Sequence, residues 1–485
     1  MNTNLFSNKG NRFVSLFVSS MALLSFTGCG GGDSTTNPPV SNTIDINSTL
    51  SNVQEVDRLR YFKEIKTVQA RNNFNLTGKG ITVTIMGEIV DSSHPDLQSS
   101  VVKQFNTYSQ KDSVIAGKGS QPYKFELFGA EGHGHGHGTH IAGTIAAECD
   151  NTGVQGVACD AKLEVYDIGT YGNEQIPQQG WEGIEGIERL IVAFSTALND
   201  VTQRHSSRIL TGSFNIESPT IMYQAGGELE NLSITQIIKR FEQDIDSIED
   251  LSDEGLISFQ NESDKGYLNR VFTNNGEDPF IILGTLLPKS KQWKELETAI
   301  KAYQDTDGVY IITESNNIFE NRTSVLNGMP SLSNKVDPDL WISAVLVQPK
   351  SYNDTGITSL ETNVDLTAEY ITPINSCGQL ASSYCILIPS YDVLSTMTEA
   401  VAFNGPIYQL NNRNHQILTG HSMGAPMIAG GLALMEEYNL RENMGYTMKD
   451  LVRILKKNAY KAFLGYDVTK HGNGLLDIEA ALNAM

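Results

Sequence analysis

Between Ile81 and Tyr460, short apolar runs alternate with stretches of helical periodicity, and that alternation constrains the fold more than any other feature. The runs Ile81–Met86, LEVYDI (163–168), RILTGSF (208–214), VYIIT (309–313) and LWISAVLV (340–347) read as strands, apolar enough to be buried on both faces. Between and after them, HIAGTIAAE, the stretch from Glu182 to Thr202, APMIAGGLALMEEY (425–438) and MKDLVRILKKNAY (448–460) read as helices. Such alternation predicts an α/β fold, a doubly wound and mostly parallel sheet with helices on both faces. Two stretches break the rhythm. Residues 216–305 are rich in Glu and Asp, and residues 348–416 in Ser, Thr and Asn; both are expected to be insertions on the core.

Two short motifs carry chemistry. HGTHIAGT, from His137 to Thr144, places an imidazole at a helix start between small residues, where it can act as a base without crowding. GHSMGAP, from Gly420 to Pro426, places Ser422 just before a helix whose early proline suits the first turn. The backbone N–H of a serine there points to where negative charge is stabilised.

Taken in order, HPDL (94–97), HGTHIAGT, GVQGVACDAKLEVYDI (153–168), LTGHSMGAP (418–426) and HGNGLLDIEAAL (471–482) resemble the motifs of the subtilisin-like serine proteases, the subtilases. The resemblance implies a subtilisin-like fold over the core and leaves both insertions unexplained. It makes Ser422 the nucleophile and His137 the general base that later protonates the leaving amine. VYIITESNN (309–317) is similar to the family's oxyanion strand, which implies Asn316 as a side-chain donor, with Asn317 the equivalent after a one-residue slip. Ser213 and Phe214 would form one wall of the substrate pocket and Glu314 the other. A pocket-facing Glu314 would favour a basic side chain before the cleaved bond.

The chain also departs from the pattern. Gly87 stands where the family has its aspartate, and His421 where it has threonine before the serine. The nearest acids are Glu88 and Asp91. Glu88 is the candidate replacement, although strand alternation in unslipped register aims it at the opposite face of the sheet; Asp91 lies beyond the turn. The expected function is therefore a serine endopeptidase using a Ser–His acyl-enzyme mechanism with a displaced or missing acid. A catalytically impaired relative that binds peptides is the alternative. A remoter one is an esterase using GHSMG as a nucleophile elbow, with Asp467 and His471 after it.

The N-terminus carries Lys9 and Arg12, the apolar run Phe13 to Phe26, and then Thr27-Gly28-Cys29. This reads as an export signal over residues 1–29, and its end resembles a bacterial lipobox, implying lipidation of Cys29. GGGDSTTNPPVSNT then begins a flexible linker over 30–45, ahead of a peptidase domain over 46–485 whose arm is 46–76. The expected location is the bacterial cell envelope, lipid-anchored at the outer membrane or cell surface. Four further cysteines in short-spaced pairs, Cys149 with Cys159 and Cys377 with Cys385, suggest two local disulfides in an exported protein. The run HGHGHGTH is a poor metal site without nearby Cys or paired Asp, so neither His133 nor His135 is assigned a metal. No cofactor is required by the expected chemistry. Family members often hold structural calcium, which no residue here is assigned to. A net charge of -21 argues against nucleic acid as partner and leaves peptide or protein substrates.

Overall fold

In the computed structural model, the described residues are 43–45, 59–107, 111–112, 134–168, 184–214, 290–313, 326–348, 372–373, 377–398, 407–463 and 465–485. The strands are β1 (Thr43–Asp45), β2 (Thr82–Gly87), β3 (Val101–Asn106), β4 (Lys111–Asp112), β5 (Lys162–Asp167), β6 (Ile209–Gly212), β7 (Val309–Thr313), β8 (Trp341–Gln348), β9 (Thr372–Pro373), β10 (Cys385–Ile388), β11 (Val393–Thr396), β12 (Ile407–Leu410) and β13 (Arg413–Leu418). The main helices are α1 (Arg60–Glu64), α2 (Thr67–Phe74), α3 (Gly134–Ala146), α4 (Ile184–Arg204), α5 (Lys291–Asp305), α6 (Gly424–Arg441), α7 (Met448–Asn458) and α8 (Ile478–Asn483).

The main sheet has the order β10-β8-β7-β6-β2-β5-β3-β4, with β9 paired to β8. All neighbours from β10 to β3 are parallel; only β4 and β9 run antiparallel at its margins. The doubly wound parallel sheet predicted from the alternation is thus the observed core. Side-chain period 2 divides each strand between two apolar layers. Val83, Ile85, Leu163, Val165, Val309 and Ile311 face a layer containing Met427, Ile428 and Leu432 of α6. Met86, Tyr166, Leu210, Tyr310, Ile312 and Trp341 face a layer built with Phe194 of α4 and with Trp293, Ile300 and Tyr303 of α5.

The chain fills the β5–β3 side first and then crosses β2 to lay down β6, β7, β8 and β10 on the other side. The order therefore reverses around β2. In open α/β sheets the crevice beyond the carboxyl ends of the strands at such a reversal is where ligands are held.

Three boundaries differ from expectation. The end of the stretch read as an insertion over 216–305 is helix α5, whose apolar side chains complete one core layer and which packs along α4. The stretch read as an insertion over 348–416 contributes β10 to the main sheet and β11–β13 to a second sheet of order β1-β12-β13-β11. The linker over 30–45 ends in a strand rather than in flexible chain, since Thr43–Asp45 pairs in parallel with Ile407–Gln409. The hairpin β12–β13 turns at Asn411 and Asn412, both at positive φ (53° and 60°), the conformation that short hairpin turns require. Cys149–Cys159 and Cys377–Cys385 both stand at disulfide distance, with Cα separations of 5.6 and 5.7 Å. Among the described residues, no helix is long and apolar enough to cross a membrane.

Candidate active site

Glu88 directly follows β2, the strand at the reversal point. Its carboxylate Oε2 lies 2.9 Å from Nδ1 of His137, and both side chains are nearly buried. Strand alternation alone had aimed Glu88 at the opposite face. The correction lies in the backbone of Gly87, which stays paired with Asp167 of β5 but has φ of +156°, a value that residues with a side chain rarely adopt. Gly87 accepts the Ile168 N–H at 2.9 Å, and the chain then leaves the sheet turned towards α3.

The approach of α3 is close. A Cβ on Gly138 would lie 2.6 Å from the Ile89 carbonyl oxygen and 2.9 Å from that of Glu88, so only glycine lets the helix bring His137 against this segment. The segment is held by more than the pair itself. The Gln104 side-chain amide donates to the Val90 carbonyl and accepts the Val90 N–H, each at 3.0 Å. The Asp91 N–H donates to Thr139 Oγ1 on α3 at 2.9 Å. Asp91 itself is not at the imidazole. Its Oδ1 accepts from the Ser93 N–H and hydroxyl and caps the local turn.

Ser422 occupies a single turn of 3-10 helix, His421–Met423, immediately before α6, and is 6% exposed. This turn and α6 both pack against α3, which carries His137. The Ser422 carbonyl accepts the Ser213 hydroxyl at 2.7 Å, so the residue expected on a pocket wall is tied to the backbone of the expected nucleophile. Phe214 is half-buried, its ring edge-on to Phe194 with centroids 5.5 Å apart. Glu314, Asn316 and Cys29 lie outside the described residues, as do His133 and the side chain of His135.

His421 is buried, and its Nδ1 accepts the Leu346 N–H of β8 at 3.0 Å. Burial lowers its pKa to about 4, partly offset by the Ala344 main chain. His140 is also buried. Its Nε2 lies 2.9 Å from the Val393 carbonyl and 3.2 Å from that of Gln416, which joins α3 to the small sheet, and burial takes its pKa to about 3.

Strand β13, which leads into Ser422, belongs to the small second sheet, paired antiparallel with β11 and β12. The serine therefore does not crown a central parallel strand, as a nucleophile elbow requires, and His471 is turned to the Asp467 backbone. The esterase reading of GHSMG is set aside on that ground.

Among the described residues, His94, Asp96 and His415 are close enough together to be considered for a metal ion. Apart from Nδ1 of His415, their donor atoms are already engaged. Nδ1 of His94 accepts the Asp96 N–H while Nε2 faces the Asn414 carbonyl at 2.9 Å. Asp96 takes the Arg413 guanidinium on one oxygen and His415 on the other. Arg413, which also meets Asp150, already supplies the positive charge. This cluster suits a cation poorly, and an oxygen-seeking ion such as calcium least of all.

Residues 78–254 match the profile of the Subtilase family. Among curated relatives, the minor extracellular protease Vpr of Bacillus subtilis is 34% identical over 25% of this chain and 14% of its own length. Fervidolysin of Fervidobacterium pennivorans is 36% identical over 18% of this chain and 11% of its own length. The crystal structure of fervidolysin, described as a keratinolytic enzyme related to subtilisin, superposes on 94% of this chain with a TM-score of 0.53 at 15% identity, which establishes a shared fold. The chain covers 50% of that structure and smaller shares of the curated sequences. The subtilase match covers β2, α3, β5 and β6, and hence Glu88 and His137; Ser422 lies beyond it.

Proposed function

We propose that this chain is a serine endopeptidase in which Ser422, His137 and Glu88 form the catalytic triad. The observation that carries the reading is the 2.9 Å contact between Glu88 and Nδ1 of His137, which supplies the orienting carboxylate that Gly87 lacks. A carboxylate on Nδ1 fixes the tautomer in which Nε2 accepts the serine proton, and it stabilises the imidazolium that then forms. Ser422 Oγ attacks the peptide carbonyl as His137 takes its proton. The oxyanion is received by the Ser422 N–H at the start of α6 and by the Asn316 side chain. His137 then protonates the leaving amine, and water, activated by the same base, hydrolyses the acyl-enzyme. None of these steps requires a cofactor.

The substrates are peptides or proteins, with Ser213, Phe214 and Glu314 lining the pocket for the residue before the cleaved bond. The export signal and Cys29 support a lipid-anchored location in the cell envelope. The test is labelling of protein lacking residues 1–29 with a fluorophosphonate probe, beside Ser422→Ala and His137→Ala. Labelling that both substitutions abolish is the expected result. Labelling of the unsubstituted protein no stronger than that of Ser422→Ala would replace the reading with that of a peptide-binding relative without turnover.

A further inference from the structure

Among the described residues, β7 pairs with β8 as far as Thr313 opposite Ala344, and β8 itself continues through Leu346 to Gln348. Main-chain groups of a strand point alternately to its two neighbours. The Ser343 N–H donates to the Tyr384 carbonyl, on the β10 side, so those of Ala344 and Leu346 face the β7 side. Leu346 thus follows the described β7 pairs, with its amide facing that side. A buried amide left without an acceptor costs about 1–3 kcal/mol. The acceptor is Nδ1 of His421.

We propose that His421 is a positioning residue for Ser422, its ring accepting the Leu346 N–H and so fixing the nucleophile's turn to the edge of the sheet. Ser213 secures the same turn from β6 through the Ser422 carbonyl. The nucleophile is thereby referenced to two strands of the sheet whose other end of the site, β2, delivers Glu88. An accepting Nδ1 places the proton on Nε2 and commits the ring to a structural bond, so His421 does not serve as a second base.

This inference rests on Ser422 being the nucleophile, and its test has two readouts that separate the two claims. His421→Leu removes the acceptor at similar volume. His421→Asn keeps an acceptor near Nδ1. In the first readout, amide hydrogen exchange, Leu346 should lose protection in His421→Leu and keep it in His421→Asn. In the second, peptide hydrolysis, His421→Leu should lower kcat by about 100-fold, as expected for a small displacement of a reacting group, with KM unchanged. His421→Asn should recover most of that loss. Unaltered Leu346 exchange in His421→Leu would overturn the anchoring. Lost protection with unchanged kcat, or an equal loss of kcat in both variants, would overturn the positioning role. If the unsubstituted protein neither hydrolyses peptides nor reacts with the probe, the nucleophile reading fails, and the positioning role with it. The exchange measurement then still decides the anchoring.

Discussion

Glu88 reaches His137 because Gly87 leaves β2 with φ of +156°, and two expectations follow from that pairing. Replacing Glu88 by Gln should lower kcat for peptide hydrolysis by about 10⁴-fold, the order found when an orienting acid alone is removed from such a triad. Moving the acid back should not repair the loss. Although a side chain at position 87 would meet no atom within 4 Å, its backbone conformation would be strained, at a cost of about 1–3 kcal/mol. Gly87→Asp combined with Glu88→Ala should therefore melt lower and stay as slow as Glu88→Ala. A double variant with restored kcat would show that the position of the carboxylate along the chain is immaterial. Ser422 and His137 drew notice in the sequence because each stands in a dense local motif. The direction of Glu88 was not, because strand alternation contains no φ. The contact of His421 with Leu346 was equally hidden, since it joins residues 75 positions apart in the chain.

At the scale of elements, the arm formed by α1 and α2 is clasped to the body through ionisable groups. Glu64 of α1 is buried and accepts the Tyr391 hydroxyl at 2.5 Å, while Arg60 lies 3.8 Å over the Tyr391 ring and donates to its carbonyl. Tyr391 follows Ser390, whose carbonyl takes the Gly420 N–H two residues before the nucleophile. Burial raises the Glu64 pKa from 4.5 to about 7, against smaller opposing effects of Arg60 and Tyr391. The folded state therefore binds the proton more tightly than the unfolded chain. This contribution to stability is complete below about pH 4.5 and is lost as pH rises through about 7. Glu64→Gln, which cannot ionise, should melt higher than the unsubstituted protein at pH 8 and show little difference at pH 4.5. An equal difference at both values would exclude the titration of Glu64 as its cause. The long apolar strands and helices of the core were readable from periodicity. The small sheet was not, because β12 and β13 are short and mixed in polarity, although the pair Asn411-Asn412 was an available turn signal.

For the whole molecule, buried neutral histidines shape the acid limit. His140 and His421 are held to about pH 3 and pH 4 by burial, and burial lowers His94 as well. Each unfolded imidazole takes up a proton near its ordinary value of 6.5, well before its folded counterpart does. The stability they contribute is present above about pH 6.5 and is lost as pH falls towards 4 and 3. Denaturant midpoints should fall over that interval, and His421→Asn should show a shallower fall; an identical slope would remove His421 from the account. The doubly wound topology was legible from the alternation of elements, but the joining of distant ends was not, because pairing across hundreds of residues leaves no local pattern. Strand β1 pairs with β12, and Ile65 at the end of the arm accepts the Ile478 N–H at the start of α8. Synthesis runs from N- to C-terminus, so β1 and the end of the arm must wait for partners made hundreds of residues later. A chain extended only as far as β11 holds Glu88 and His137 but neither Ser422 nor the partner strand of β1. The fold thus carries a delay in time, through which the three side chains proposed to act together stay apart.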